Sequence, residues 1–99
     1  MKVSEAALQQ LVIDAADLGG WLVFHDNDSR RNRAGFPDLV LVRGTELILV
    51  ELKAEAGRIR PDQQAWLDEL AKVEYLSTGV LRPSDADAFV ARLTRKATP

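Results

Sequence analysis

Residues 46–53 read Glu-Leu-Ile-Leu-Val-Glu-Leu-Lys, an apolar run closed by two charges. In the period-two alternation of a strand, Leu47, Leu49, Glu51 and Lys53 share one face, and Ile48, Val50 and Leu52 share the other. A strand apolar on both faces belongs in the interior of a sheet that is covered on each side. The run therefore calls for an α/β arrangement, and the rest of the chain must supply the neighbouring strands and the covering helices.

The flanking sequence contains them. Within residues 4–18, Leu8, Leu11, Val12, Ala15 and Leu18 recur at helical spacing, with Ser4 as N-cap and Gly19-Gly20 as the stop. Residues 21–24 (Trp-Leu-Val-Phe) predict a short buried strand, and the polar stretch 26–35 predicts a loop. Residues 36–42 form a second strand, joined to 46–53 by a tight turn around Gly44. Residues 54–60 connect to a helix that opens at Pro61 and carries Trp66, Leu67 and Leu70 as its apolar stripe. A fourth strand falls within 73–81. Arg82-Pro83 ends it, and Ser84 with Asp87 predicts a capping box for a last helix through Ala86, Phe89, Val90 and Leu93. The expected order is αβββαβα, a mixed central sheet flanked by helices, in one domain over residues 1–99 with 94–99 as a frayed tail.

Composition narrows the chemistry. Of 99 residues none is cysteine and one, His25, is histidine, which removes thiolate zinc sites and disfavours imidazole-rich ones. Any metal would be held by oxygens, the preference of magnesium and manganese. Lys2, Glu5, Asp14 and Asp17 interrupt the N-terminal segment, so it does not resemble a signal peptide, and no run is long enough to span a bilayer. A cytoplasmic protein, in a bacterium or a phage-infected cell, is expected. The formal charge of −2 weighs against a nucleic-acid partner, but Arg30, Arg31 and Arg33 form one basic cluster and Arg58 with Arg60 another.

The charges that interrupt the apolar pattern are the informative ones. Glu51 and Lys53 lie on one face at the end of the most apolar strand, where burial is costly without partners. Counting outward from Gly44 sets Asp38 roughly opposite Glu51. Two carboxylates that close repel, and a divalent cation between them is the simplest resolution. The backbone carbonyl of Leu52 is a plausible third oxygen. Lys53 beside such a site would orient a water and stabilise charge building up on a phosphate.

Gly35-Phe36-Pro37-Asp38 followed by Val50-Glu51-Leu52-Lys53 resembles the PD-(D/E)xK nuclease motif. The segment 57–63 (Gly-Arg-Ile-Arg-Pro-Asp-Gln), with Trp66-Leu67, resembles the stretch that distinguishes the VRR-NUC (virus-type replication-repair nuclease) family. The resemblance runs from about Glu5 to Phe89 and implies the restriction-endonuclease-like αβββαβ core. It implies magnesium- or manganese-dependent cleavage of DNA phosphodiesters, usually at branched or flapped structures. By the same resemblance Asp38 and Glu51 map onto metal ligands, Lys53 onto the catalytic lysine, Gln63 onto a helix-borne glutamine and Glu5 onto the acidic residue of the first helix. Stand-alone viral members resemble dimeric junction resolvases, so a homodimer is expected.

Each assignment competes with a plainer one. Glu51 and Lys53 could be a solvated strand end, and Glu5 a first-turn acid favoured by the helix dipole. Helical phase sets Glu5, three residues before Leu8 and seven before Val12, with the buried stripe, and Gln63 inward with Leu67 and Leu70, while Gln64 points outward with Asp68. The arginines at 30, 31, 33, 58 and 60 could be ordinary surface or could contact phosphates. Trp21 and Trp66 read as core or dimer contacts, and His25 as a strand-end residue. A DNA-binding module without catalysis, or an interaction protein built on the nuclease fold, is the alternative to an enzyme.

Overall fold

The run at residues 46–52 is an inner strand, as its two apolar faces require. The computed structural model describes residues 2–26 and 33–97. Helix α1 (Glu5–Leu18) leads into β1 (Leu22–His25), β2 (Leu39–Arg43) and β3 (Glu46–Leu52). Helix α2 (Pro61–Leu70) crosses to β4 (Leu76–Leu81), and one 3-10 turn at Pro83–Asp85 opens α3 (Ala86–Thr94). The four strands lie side by side in chain order, antiparallel except for the parallel β3–β4 pair. Parallel neighbours cannot be joined by a hairpin, which is why a helix intervenes between β3 and β4.

The two faces of the sheet are covered unequally. On one, Leu39, Leu41, Ile48, Val50 and Leu52 belong to a single core with Leu8, Val12, Ala15 and Ala16 of α1 and Ala86 and Leu93 of α3. Leu41 and Leu52 are wholly buried there, so truncation of either to alanine costs about 2–5 kcal/mol. The opposite face carries Glu51 and receives α2 alone among the described helices, which covers the Glu51 end. Leu22, Phe24, Val42 and Leu47 stay exposed on that face.

Several boundaries differ from the sequence pattern, each for a physical reason. Trp21 precedes β1, because its indole N–H donates to the Leu93 carbonyl at 2.9 Å and draws the ring into the core. The Arg43 guanidinium lies 4.4 Å from the Trp21 ring centroid and donates to the carbonyls of Gly19 and Arg95. The chain is thereby held down as far as Arg95, past the expected start of a loose tail. β2 begins at Leu39, three residues later than the apolar run suggests, since residues 34–36 are drawn onto α2. Ser4 caps α1 as expected, accepting from the Ala7 N–H. Ser84 does not cap α3: its hydroxyl donates to Glu55 Oε2, a charged acceptor, and Asp85 takes the Arg82 N–H instead. Among the described residues no helix is long and apolar enough to cross a membrane.

Candidate functional site

The β2–β3 register brings the charged residues together. Leu39 pairs with Val50, so Asp38 comes opposite Glu51 at the next step. Asp38 Oδ2 accepts the Leu52 backbone N–H at 2.7 Å, which ties the carboxylate to the strand that carries Glu51. Glu51 itself is only 2% exposed. From α2, Gln63 Nε2 donates to Glu51 Oε1 at 3.0 Å, and Gln63 Oε1 accepts the Arg60 N–H at 2.9 Å. The second bond fixes the amide's orientation: with its oxygen held by a backbone donor, only its nitrogen can face Glu51. Gln63 is buried, as helical phase predicted, and Gln64 is exposed and bonded to Asp68.

Glu51 Oε2 is a buried acceptor that no N–H or O–H of the described residues reaches; Arg43 Nε, at the far end of the sheet, is likewise unpaired. The neighbour of that Glu51 oxygen is the Asp38 carboxylate, an acceptor like itself. The two cannot satisfy each other while both are ionised, and a shared proton or a cation between them relieves the repulsion. Burial and then contact with Asp38 push the Glu51 carboxyl up to about 8; the Lys53 charge pulls the other way, and Glu5 adds a further push. Lys53 follows directly on β3, half-buried, with its backbone N–H donating to the Leu81 carbonyl at 3.0 Å. Asp38, Glu51, Lys53 and Gln63 thus form one cluster across two strands and a helix.

The remaining candidates stand apart from it. Glu5 is exposed in the first turn of α1, contrary to its expected place in the inward stripe, and reaches Glu51 only through its charge. Its backbone starts the helix outside the buried layer that Leu8 begins. Arg33 and Arg58 are exposed. Arg60 is paired with Asp62 at 3.2 Å, which commits part of its charge within the chain. Arg30 and Arg31 lie outside the described residues. Among the described residues no group of three or more His, Asp or Glu comes together to hold a metal.

One support of the cluster was not read from the sequence. Gly35 has φ +92° and sits so close to α2 that a Cβ there would lie 2.4 Å from the Asp62 carbonyl oxygen. Trp66 Nε1 donates to the Ala34 carbonyl at 3.2 Å, and the Phe36 and Trp66 rings meet edge to face with centroids 5.1 Å apart. These contacts press the segment before Asp38 onto the helix that carries Gln63. The signal was present in the glycine preceding Phe-Pro-Asp, but a loop glycine alone does not say what it approaches.

Residues 2–82 match the family model of the VRR-NUC domain. The chain belongs to the VRR-NUC family. The matched segment takes in α1, the whole sheet and α2, and so contains every member of the cluster. A solved structure described as a VRR_NUC domain protein is similar to this VRR-NUC chain with a TM-score of 0.68 and 21% identity, over 93% of this chain and 88% of that one. At that identity the likeness shows the fold. No curated protein matches the chain. Membership implies a nuclease-type function, with DNA as substrate and a divalent metal in general. The residues present fit such a metal: the unsatisfied Glu51 Oε2 and the adjoining Asp38 carboxylate are hard oxygen donors. Two carboxylates suffice for magnesium, which commonly keeps several waters and takes further oxygens from substrate phosphate.

Proposed function

We propose that this VRR-NUC chain is a magnesium- or manganese-dependent DNA endonuclease that cuts branched DNA, a Holliday junction or a flap, in replication, repair or recombination. The observation that carries the reading is the buried Glu51 Oε2 beside Asp38, without a donor and next to a lysine. Asp38, Glu51 and the Leu52 carbonyl would hold the metal, with Glu5 at most an outer contributor. Bound there, the metal would polarise the phosphate and lower the pKa of a water.

The chain's own residues have defined tasks in this reading. The Leu52 N–H and the Gln63 amide hold Asp38 and Glu51 in place. Lys53 orients the attacking water and balances charge that accumulates on the phosphate oxygens. Attack is in line: the water oxygen bonds to phosphorus as the bond to the 3′ oxygen breaks. The water's proton is lost to solvent and the leaving oxygen is protonated, giving a 5′-phosphate and a 3′-hydroxyl. Arg58 and Arg33, with Arg30 and Arg31 outside the described residues, would contact backbone phosphates without reading sequence. Arg60 would contribute less, given its bond to Asp62.

A homodimer is part of the proposal. Leu22 pairs with Val42 and Val42 with Leu47 across three strands, so these exposed side chains form a continuous apolar stripe with Phe24. Such a stripe is where two copies would meet. Cleavage of four-way junctions, flaps, nicked and plain duplex, with magnesium, manganese or chelator, tests the reading. Metal-dependent cutting of branched substrates is expected; activity in chelator, or none on any DNA, would overturn it.

A further inference from the structure

Next to the cluster lies a cleft that none of these roles uses. It encloses about 550 Å³ between the N-terminal arm, at Lys2 and Val3, and the turn Ala54-Glu55-Ala56, with Pro83 closing one side. That volume is within the range of small-molecule sites. Its walls are mainly aliphatic, and it carries one cation and one anion among the described residues, Lys2 and Glu55.

We propose that this cleft receives an unpaired nucleobase from the strand being cut, an inference that rests on the nuclease reading. Position is the first argument. The turn that forms the cleft wall begins at the residue after Lys53, and a Cβ on Gly57 would lie 3.5 Å from the Lys53 side-chain Cδ. A nucleotide next to the scissile phosphate is therefore within reach of it. Rigidity is the second. Arg82 Nη1 donates to the carbonyls of Ala54, Glu55 and Gly57 at 2.8, 3.0 and 2.9 Å, and the Gly57 N–H closes the turn on the Ala54 carbonyl. The wall is preformed, so little ordering is needed on binding.

Charge decides what enters. Both Glu55 oxygens already accept from Ser84, its N–H and its hydroxyl, each at 2.9 Å, which keeps an anion at the lining. Lys2 balances it, so the lining offers a phosphate no net positive charge, whereas an uncharged flat ring packs against the aliphatic walls at Val3, Ala54, Ala56 and Pro83. A base stacked within a duplex cannot enter such a cleft; an unpaired or extruded one can.

Equilibrium binding in chelator separates this proposal from the nuclease reading. The probe is a single-stranded oligonucleotide of about 12 nucleotides, with each position in turn made abasic. At one position the abasic change is expected to weaken binding about 5- to 10-fold, the low end of what one buried base contributes. A 4-thiothymidine at that position should crosslink to Val3 or the 54–57 turn. Ala56→Trp and Val3→Trp, which fill the cleft, should remove the base dependence while leaving affinity for the abasic strand unchanged. No oligonucleotide binding, equal affinity at every position, or crosslinks elsewhere overturns the proposal. Base-dependent binding without metal-dependent cleavage would keep the cleft and discard the nuclease; cleavage without base dependence would do the reverse.

Discussion

The Gln63 amide nitrogen donates to Glu51 Oε1 at 3.0 Å, and this contact joins the helix that follows the connector to β3, an inner strand of the sheet. Both ends of the amide are used, one on Glu51 and one on the Arg60 backbone. Gln63→Leu removes both bonds and leaves a buried carboxyl oxygen and an N–H to be satisfied afresh. Urea unfolding should show a loss of about 1–3 kcal/mol. Cleavage should fall as well, because Glu51 loses the group that orients it. An unchanged unfolding midpoint would mean the amide is not a structural tie.

The raised pKa of Glu51 makes stability depend on pH. In the unfolded chain its carboxyl ionises near 4.5, whereas in the folded, metal-free protein it keeps its proton up to about 8. Between those values the unfolded state binds fewer protons than the native one, so stability falls as pH rises. The melting temperature in chelator should therefore drop between pH 5 and about 8, the upper value being that of the folded carboxyl. Glu51→Gln, which cannot ionise, should flatten that slope and melt higher than wild type at the alkaline end. Magnesium or manganese should raise the melting temperature of wild type there, and not that of the variant.

Lys53 lowers the proton affinity of Glu51 and faces the same region, yet its backbone bond to Leu81 does not involve the side chain. Lys53→Ala should cut metal-dependent cleavage by about 100-fold or more. Its melting curve should stay close to wild type, and the pH at which Glu51 ionises should move up. Retained cleavage would remove the lysine from the mechanism.

Gly35→Ala tests the support under Asp38. Positive φ strains any side chain there, and the added methyl meets the Asp62 carbonyl oxygen and carbon and the Gln63 nitrogen, all backbone atoms of α2. Backbone cannot swing aside as a side-chain tip can, so the 34–38 segment must lift. A loss of about 1–3 kcal/mol is expected, with cleavage falling further as Asp38 leaves Leu52. Equal activity and stability in the variant would show that the loop's close seat on α2 does not position the site.

These experiments bear on features of unequal legibility. The inner position of β3 followed from its own residues, because two apolar faces admit few placements. The opposition of Asp38 and Glu51 followed from counting along a hairpin whose turn carries a glycine. Burial of Gln63 followed from helical phase. The seat of Gly35 on α2 and the Arg82 clamp on residues 54–57 depend on contacts between segments about 27 residues apart, and one chain's local pattern does not encode the partner. Glu5 shows the converse. Its spacing from Leu8 suggested an inward side chain, but the first turn of α1 begins before the helix reaches the sheet.

The stripe of Leu22, Phe24, Val42 and Leu47 yields the last prediction. Leu22 is 75% and Phe24 56% exposed, so a charge at either site leaves the core between the sheet and α1 intact. β1 is also an edge strand, where an uncovered apolar face invites association. If two copies meet through this face, Leu22→Asp with Phe24→Asp should give a folded monomer in sedimentation velocity, where wild type sediments as a dimer at micromolar concentration. Loss of the second subunit would separate two activities. Paired incision of a four-way junction needs two sites held at a fixed distance, whereas cutting a flap or nick needs one. The charged variant should therefore lose junction resolution and keep single-strand incision. A wild-type monomer, or a variant that still resolves junctions, would confine the proposed function to flaps and nicks and leave the stripe without this role.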